Sequence, residues 1–451
     1  MKNENLAAKE NDSKTKTPVN YSDSSVTIAA DKEMKEGKLR QFFLGKHYRK
    51  VWLTPIKVPV LEFTSEQGGL EIIKKGGGMQ TKSLRLQNAN GDQYTLRSIT
   101  KYPDKLLPKA LENTFASDVL RDQESSSHPY AALVVNELEK SVGILYSNPK
   151  LVYIPDSKNL VEYRKDFANT LALFEQRADG NLSEYEDVGN TKDAMNSVRM
   201  FKRLNKDNSI VVDEYALLKC RLFDMWIHDW DRHEDQWRWA TVKCNKKNDD
   251  YCKSIKADEK YYIPIPRDRD QAFSKYDGVL PWLAGRNWLG KKFQSFENDI
   301  HDISGFNYNA RFLDHALLTG LSKEEWMTVA TALQQELTDE KIEHAIKQWP
   351  EKIFSLNGEE IISHLKVRRS KLPSFVDRYY KFLAKEVDVI GSNKKEIFEV
   401  IRTNADSMSV KVFDNKNGLK GRLLYDRYLK NDETKEERLY GLGGEDIFTV
   451  S

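Results

Sequence analysis

Two acidic clusters in the middle of the chain carry side chains suited to phosphate and metal chemistry. Residues 229–236 read DWDRHEDQ, and residues 267–273 read RDRDQAF. Carboxylate and amide oxygens are the hard ligands that hold Mg²⁺, while Arg and Lys neutralise phosphate. The same residue types also occur in solvated loops that are rich in ion pairs. Residue types alone therefore leave open both a phosphate-handling site and an ordinary surface loop.

The elements around these clusters would bring them together. Residues 214–228, EYALLKCRLFDMWIH, place Leu218, Leu222 and Trp226 at helical spacing, which predicts a buried helix before the first cluster. After that cluster, WRWATVK and YYIPIP predict two strands joined by the polar loop CNKKNDDYC. Because a hairpin returns the chain to its starting point, we expect the two clusters to face each other.

Size and composition narrow the class of protein. A chain of 451 residues with 39% hydrophobic residues is globular and long enough for two or three domains. Its 71 basic and 69 acidic residues nearly balance, so no broad positive field favours nucleic acid as a partner. No apolar run approaches the ~18 residues of a transmembrane helix. The polar start MKNENLAAKENDSKTKT is not a signal peptide, so the chain as it stands is expected in the cytoplasm.

The three cysteines leave one question open. Cys244 and Cys252 bracket the hairpin loop, where they either close a small disulfide ring in an oxidising compartment or remain reduced thiols. Cys220 lies within the apolar helix and is expected in the core.

The first half of the chain predicts a disordered arm followed by a β-rich domain. Residues 1–38 are polar with few apolar anchors, which is typical of a disordered arm or linker. Within residues 39–181, LEIIKK, SLRLQ and DQYTLRSITK predict three antiparallel strands, with Asn90-Gly91 in the second turn. Glycine N–H groups in the first turn, residues 76–78, could cover phosphates. Many hairpins contain such glycines, so this turn by itself is weak support.

The second half predicts a helical domain and then a small β module. Residues 128–144 predict a helix, and residues 149–155 and 167–176 predict strands that complete the β-rich domain. Residues 182–391 read as mainly helical, with Arg368 and Arg369 expected on a solvated helix face. Residues 392–451 alternate apolar with polar residues, as strands do, and stop within a strand pattern, which suggests a piece of a longer protein.

With these motifs located, the chain resembles the atypical kinase superfamily. Its members include the HipA toxin kinases, the phosphoinositide kinases, the secretory-pathway casein kinases and the spore-coat kinase CotH. They share an Asp in a D-R-H or D-x-H loop, an amide five residues later and a metal-binding Asp after a hairpin. Here Asp231-Arg232-His233 is followed by Gln236, and IPRDRDQAF is most similar to CotH. The resemblance implies an α+β fold with a small antiparallel β lobe, a helical lobe and, here, a C-terminal β module.

Residues 40–451 also resemble regions of long cell-envelope proteins from Bacteroidota. Those regions carry GGGMQTKSLRL, SHPYAAL, DWDRHEDQWRW and IPRDRDQAF in the same order. They are commonly preceded by a calcineurin-like phosphoesterase domain and followed by an outer-membrane β-barrel of surface-antigen type. This resemblance implies a periplasmic or outer-membrane-associated location, association with those domains and a bridge between Cys244 and Cys252.

The kinase resemblance implies a role for each residue that carries it. The catalytic residues would be Asp231, Arg232 and His233, with Asp231 taking the proton of the acceptor hydroxyl. The residues that bind ATP would be Gly76, Gly77, Gly78, Arg97, Lys101 and Glu175. Those that hold Mg²⁺ or Mn²⁺ would be Gln236, Asp268 and Asp270.

The implied activity is an ATP- and metal-dependent transfer of phosphate to a hydroxyl group on a protein, lipid or sugar. Two other hypotheses remain. Gln236 stands where these families usually have Asn, and Ala132 lies near the position expected for a helix carboxylate, which favours an inactive pseudokinase-like scaffold. A metal-dependent hydrolase is the third hypothesis, although only His228 and His233 lie near the acidic residues and such enzymes usually use several His ligands.

Overall fold

The computed structural model describes residues 25–32, 34, 37–76, 81–101, 122–243, 260–279 and 291–451. Helices and sheets are mixed along the chain, so the α+β prediction is confirmed. The predicted glycine cover at Gly77 and Gly78 and the Cys244–Cys252 pair lie outside these residues. Among the helices described, none combines the length and the apolar character needed to span a bilayer.

The strands and helices are numbered here in chain order. The strands are β1 Ser25–Ile28, β2 Ile56–Pro59, β3 Leu70–Gly76, β4 Thr81–Asn88, β5 Gln93–Lys101, β6 Lys150–Ile154, β7 Thr170–Gln176, β8 Ala194–Asn196, β9 Ile210–Val212, β10 Trp237–Lys243, β11 Lys260–Pro266, β12 Glu386–Ile390, β13 Glu396–Asn404, β14 Ser407–Lys416, β15 Leu419–Lys430, β16 Glu436–Tyr440 and β17 Ile447–Val450. The helices are α1 Lys38–Leu44, α2 Arg49–Leu53, α3 Ala131–Ser141, α4 Arg164–Phe167, α5 Ser197–Lys206, α6 Glu214–Ile227, α7 Ile303–Phe306, α8 Arg311–Leu317, α9 Lys323–Glu336, α10 Asp339–Ile346, α11 Glu351–Ser370 and α12 Leu372–Leu383.

A five-stranded antiparallel sheet forms one wall of the cleft described below. Its order is β3-β4-β5-β7-β6, with Leu96 opposite Leu84 and Phe174. Because side chains alternate between the two faces of a strand, each strand presents one face to a small core and the other to the cleft. The core face carries Leu84, Leu86, Leu96, Ala172 and Phe174. The cleft face carries Ser83, Arg85, Thr95, Arg97 and Lys101.

Helix α3, which lies between β5 and β6 in the chain, connects this sheet to the helical part. Val134, Val135 and Leu138 of α3 are buried in the same core as Leu218 of α6. The indole N–H of Trp349 donates a hydrogen bond of 2.8 Å to the carbonyl of Tyr130, just before α3. The sheet is therefore anchored on the helices by buried apolar contacts.

Helix α6 leads into the first acidic cluster. Its N-terminus is capped by Asp213, whose carboxylate accepts the backbone N–H of Ala216 at 2.7 Å. At its C-terminus, buried Arg368 donates hydrogen bonds to the carbonyls of Met225 and Trp226, the latter at 2.8 Å. The prediction of a solvated Arg368 was wrong, because the carbonyls that end a buried helix need donors from elsewhere.

The hairpin β10–β11 has the predicted antiparallel pairing, with Trp237 opposite Pro266. At its open end the N–H of Arg267 donates to the carbonyl of Gln236 at 3.1 Å. The two acidic clusters are thus adjacent, as predicted. The hairpin belongs to a four-stranded sheet of order β8-β10-β11-β9, so residues 182–391 contain a sheet within the predicted helical domain.

Two predicted boundaries differ from the strand pairing. Strand β1 pairs with β2, with Val26 opposite Val58, so the predicted disordered arm over residues 1–38 includes an ordered strand. Strand β12 pairs in parallel with β16, with Val387 opposite Glu437, so the boundary at residue 391 separates two paired strands. Each of these short strands depends on a partner far along the chain, and local patterns do not contain that information.

Glu214 at the start of α6 makes stability depend on pH. Its carboxylate accepts the backbone N–H of Gly320 at 3.0 Å, and a Cβ on Gly320 would lie 2.4 Å from it. Burial raises the pKa of Glu214 to about 7, against an opposing effect from Arg427. Since this pKa exceeds that of the unfolded chain, ~4.3, the folded state holds the proton more tightly, and this stabilisation is lost as pH rises through 7.

We therefore expect Glu214→Gln to gain stability relative to the wild type as pH rises from 5 to 8. Urea denaturation at both pH values measures the two free energies of unfolding. The exposed Glu359→Gln on α11 is the control and should show no such change. A difference between Glu214→Gln and the wild type that is the same at both pH values would contradict the prediction.

Candidate active site

A cleft of about 570 Å³ lies between the five-stranded sheet and the two acidic clusters. The sheet side contributes Gly76, the only member of the predicted glycine cover among the described residues, together with Arg97 and Lys101. The opposite side contributes His233 together with the predicted acidic and amide residues, which are Asp231, Gln236, Asp268 and Asp270. The structure therefore brings these predicted residues to one cleft.

The two cations on β5 pair with the two acids of the second cluster. The Nζ of Lys101 lies 2.8 Å from Oδ2 of Asp270. Arg97 forms an ion pair with Asp268, and its Nη2 donates to Oε1 of Glu175 at 3.1 Å. Lys101 also lies within electrostatic range of Asp231. The cleft thus contains an Arg97–Asp268–Glu175 group and a Lys101–Asp270 group.

Asp268 and Asp270 differ in electrostatic environment although one residue separates them. Burial would raise the pKa of Asp268, but Arg97 and Arg267 outweigh it and lower that pKa to about 2. Burial and the neighbouring Asp268 raise the pKa of Asp270, and Lys101 only partly opposes them. Asp268 also has a left-handed backbone, φ 60°, a conformation that Asp tolerates better than most residues. Asp270 is therefore the acid whose negative charge is less fully compensated.

Asp231 is held by a residue that sequence reasoning missed. Its Oδ1 accepts a hydrogen bond of 2.5 Å from the amide of Asn309, while its Oδ2 lies 4.0 Å from Nε2 of His233. The Asn309 amide oxygen is 3.4 Å from Nζ of Lys292, which also feels the charge of Asp231. Asn309 and Lys292 lie far along the chain from the clusters and belong to no motif recognised in the sequence. The Asp231 side chain is 26% exposed and thus open to a substrate.

Arg232 does not face the cleft, in contrast to its neighbours in the first cluster. It is fully buried, lies over the ring of Trp237 at 4.6 Å and forms an ion pair with Asp224 at 3.3 Å. It also donates to the carbonyls of Arg267 at 2.9 Å and Gln236 at 3.2 Å. These bonds join the two clusters to each other. Its geometry is that of a positioning residue rather than one that touches a substrate.

A buried network of ion pairs connects the two acidic clusters to helices α3 and α6. Arg269 donates to Glu139 of α3 at 2.6 and 2.9 Å and to Asp229 at 3.1 Å, and it also pairs with Asp224 of α6. This network ties the second cluster to both helices. Glu139 of α3 and Arg97 line the same small pocket, but Glu139 pairs with Arg269, and Arg97 pairs with Glu175 on β7.

The oxygens in the cleft fit a hard cation with few protein ligands. From the described part of the chain, Asp270 Oδ1 receives a single hydrogen bond, a 3.3 Å contact from the amide of Gln271. Gln236 also lines the cleft and offers an amide oxygen. Among the described residues, no group of three or more His, Cys, Asp or Glu side chains is arranged to hold a metal. Mg²⁺ commonly takes one or two protein ligands and completes its shell with water and phosphate oxygens. The donor set suits that pattern and not an all-protein metal cage.

The comparisons with known proteins add little to this geometry. No family model matches the sequence, and no curated protein matches it. The chain is similar in structure to the proinflammatory kinase CtkA of Helicobacter pylori, with a TM-score of 0.35 and 15% sequence identity over 71% of this chain and 98% of that one. A likeness of this size assigns no function.

Proposed function

We propose that the protein is a phosphotransferase that uses ATP and Mg²⁺ or Mn²⁺ to phosphorylate a hydroxyl group. The observation that carries the proposal is the meeting of Asp231, Gln236 and Asp270 in one cleft with the cations Arg97 and Lys101. Phosphoryl transfer needs an oriented acceptor, a metal and cations on the phosphates, with little covalent chemistry by the protein. Each of those requirements has a residue of the matching type in this cleft.

The arrangement of elements supports a two-lobed, kinase-like fold. In protein kinases a glycine-rich loop covers the phosphates, a lysine on the third strand binds them, and an Asp and an amide hold the metal. Here Gly76 ends the first strand of the five-stranded sheet, and Lys101 ends the third. Asp270 and Gln236 lie on the opposite wall, which the helical part carries.

Each residue has a proposed task. Asp231, oriented by Asn309, accepts the proton of the acceptor hydroxyl through the oxygen that Asn309 leaves free. When a nucleotide binds, Lys101 leaves its ion pair with Asp270 and neutralises a phosphate group instead. Asp270 and Gln236 would hold the metal ion, which supplies electrostatic stabilisation of the charge on the phosphate oxygens when it is bound. Asp268 is already paired with Arg97 and holds that side chain in place. We therefore assign the metal ion to Asp270 rather than to Asp268.

A non-catalytic binding module is the second candidate, and three observations favour it. Both acids of the second cluster are already paired with cations, and Arg97 takes its partner from Glu175 of the sheet instead of from α3. Gln236 is also one methylene longer than the usual Asn, and a misplacement of ~1 Å can cost about 10²-fold in rate. A site of this kind could bind a nucleotide without turning it over.

The finer relationships also remain proposals. The motif IPRDRDQAF supports a relationship with CotH, and the order of the four motifs supports one with the Bacteroidota envelope proteins. On that relationship the protein acts in the periplasm or at the outer membrane, beside a phosphoesterase domain and a surface-antigen barrel. The acceptor would then be a protein, lipid or sugar of the envelope.

An assay with γ-labelled ATP tests the proposal. With Mg²⁺ or Mn²⁺ we expect label to reach the protein itself or an added acceptor, and chelation to abolish transfer. Asp231→Ala should lower the rate by about 10²-fold or more because the general base is lost. Asp377→Ala on the exposed face of α12 is the control and should leave it unchanged. Metal-dependent nucleotide binding without transfer would favour the binding module, and absence of both would overturn the proposal.

A further inference from the structure

One end of the cleft is lined by arginines that the proposed transfer does not use. Besides Arg97, the cleft is lined by Arg85 of β4, Arg177 after β7, Arg238 of β10 and Arg267 after β11. We call these four residues the arginine end. They belong to four strands of two sheets or directly follow them. Arg85, Arg238 and Arg267 lie within the sequence motifs quoted above, but those motifs assigned them no role.

The arginines of this end are close enough to repel one another. Arg238 lies within electrostatic range of both Arg267 and Arg177, and Arg85 lies within range of Arg177. Like charges gathered in a partly enclosed cleft cost free energy unless an anion compensates them. The carboxylates near these arginines therefore decide the net charge of the arginine end.

Four carboxylates act on the arginine end, and three of them are shared with other cations. Asp179 lies 2.9 Å from Nη2 of Arg177, but it also pairs with Arg199 at 3.2 Å. Glu175 is 3.9 Å from Arg267 but lies closer, at 3.1 Å, to Arg97. Asp268 acts on Arg267 but is paired with Arg97, and the exposed Asp235, which also lines the cleft, acts on Arg238. These four acids face six arginines, the four of the arginine end together with Arg97 and Arg199, which leaves the arginine end with a net positive charge.

Two buried donors at this end find no acceptor among the residues that the structure describes. Arg238 is only 8% exposed, and its Nη1 donates to the carbonyls of Trp237 and Asp235 at 2.7 and 3.2 Å. The Nε of Arg238 and the Nε of Arg177 are the two buried donors. A buried unsatisfied donor costs about 1–3 kcal/mol. A guanidinium that faces a cleft can recover that cost from an oxyanion with several acceptor oxygens.

We propose that the arginine end binds a phosphate group, separate from any phosphate held near Lys101 and Asp270. The cleft would then take ligands with anionic groups at both ends. The second phosphate could belong to the nucleotide, as a phosphate on its ribose, or to a phosphorylated acceptor. This proposal rests on the charge and the unsatisfied donors of the arginine end, so it stands or falls independently of phosphoryl transfer.

Calorimetric titration of the full chain with inorganic phosphate, without divalent metal, tests the site. We expect Arg238→Gln and Arg177→Gln to weaken phosphate binding at least tenfold, and Lys101→Met to leave it within twofold. The matched control is Arg203→Gln, which removes a half-exposed arginine paired with Asp193 outside the cleft. Phosphate binding that is unchanged in both Arg238→Gln and Arg177→Gln would overturn the proposal, whatever the activity of the protein.

Two further measurements keep the test decisive. If Arg238→Gln does not fold, Arg85→Gln replaces it, since Arg85 is only partly buried and should also weaken phosphate binding. Adenosine serves as the uncharged probe. If Arg238→Gln weakened the binding of adenosine but not that of phosphate, the guanidinium group of Arg238 would stack on a base. That result would overturn the proposal.

The source of the phosphate is identified by two comparisons. Adenosine 3′,5′-bisphosphate is compared with AMP, and glycerol 3-phosphate is compared with glycerol in the presence of a non-hydrolysable ATP analogue. An affinity at least tenfold higher for the ligand with the additional phosphate, lost in Arg238→Gln, supports the site. In the first comparison this result assigns the phosphate to the nucleotide, and in the second it assigns the phosphate to the acceptor. No gain in either comparison would overturn the two-ended ligand.

Discussion

Asp270→Asn is expected to lower phosphate transfer by about 10³-fold at saturating Mg²⁺, equivalent to about 4 kcal/mol of transition-state stabilisation. The substitution keeps the shape of the side chain but removes the negative charge that would attract the cation. We expect the apparent affinity for Mg²⁺ in the presence of nucleotide to fall as well. Initial rates measured over a range of Mg²⁺ concentrations separate the two effects.

Asp268→Asn is the matched comparison because it makes the same change two residues earlier. Asp268 lies between Arg97 and Arg267, which lower its pKa to about 2, so its charge is committed to the protein. We expect Asp268→Asn to lower the free energy of unfolding and to reduce the rate of phosphate transfer by about tenfold or less. The dependence of the rate on Mg²⁺ concentration should stay unchanged. If Asp268→Asn shifted the Mg²⁺ dependence and Asp270→Asn did not, the metal would belong to Asp268.

Arg269→Met is expected to destabilise the protein by about 3–5 kcal/mol, the usual cost of leaving buried charges without their partner. Arg269 is 4% exposed and is the shared cation of Glu139, Asp229 and Asp224. Burial already raises the pKa of Glu139 to about 7 and that of Asp229 to about 6 despite this arginine. Without it, Glu139 loses the arginine that compensates its charge, while Asp229 keeps Arg232 and Asp224 keeps Arg221 and Arg232.

Urea denaturation of Arg269→Met and the wild type measures this loss. The control is Arg203→Met, which removes a half-exposed arginine paired with Asp193 and should cost about 1 kcal/mol or less. Arg269→Lys retains the positive charge but not the planar guanidinium group. Its free energy of unfolding should therefore lie between those of the wild type and Arg269→Met. If Arg269→Met and the wild type had the same free energy of unfolding, the ion pairs of Arg269 would make no net contribution to stability, and the prediction would be wrong.

Local patterns predicted the elements that carry the candidate site. The apolar spacing in α6, the hairpin β10–β11 and the three strands β3, β4 and β5 follow from periodicity and turn residues, which act over a few positions. The clustering of Asp231 with Asp268 and Asp270 was predictable for the same reason. A hairpin returns the chain to its start, so two motifs at its ends must be neighbours.

Residues that join the site from far along the chain could not be predicted in this way. Asn309 reaches Asp231 across 78 positions, and Glu175 reaches Arg97 across 78 positions. Arg368 was expected in solvent but lies at the end of a helix 142 positions away. Single-sequence periodicity reports which face of an element is buried, but not which distant group it meets there.

Local residue patterns specify an α+β chain with two acidic motifs joined by a hairpin and opposed by cations on a third strand. The pairing of these charges follows from the packing of the folded chain. Lys101 pairs with Asp270, Arg97 pairs with Asp268 and Glu175, and Arg232 pairs with Asp224 in the interior instead of facing the cleft. The fold also brings the arginine end together from four strands of two sheets. The physical reason is that charge pairing depends on distances of a few ångströms across separate elements, and these are set by how the sheets and helices pack.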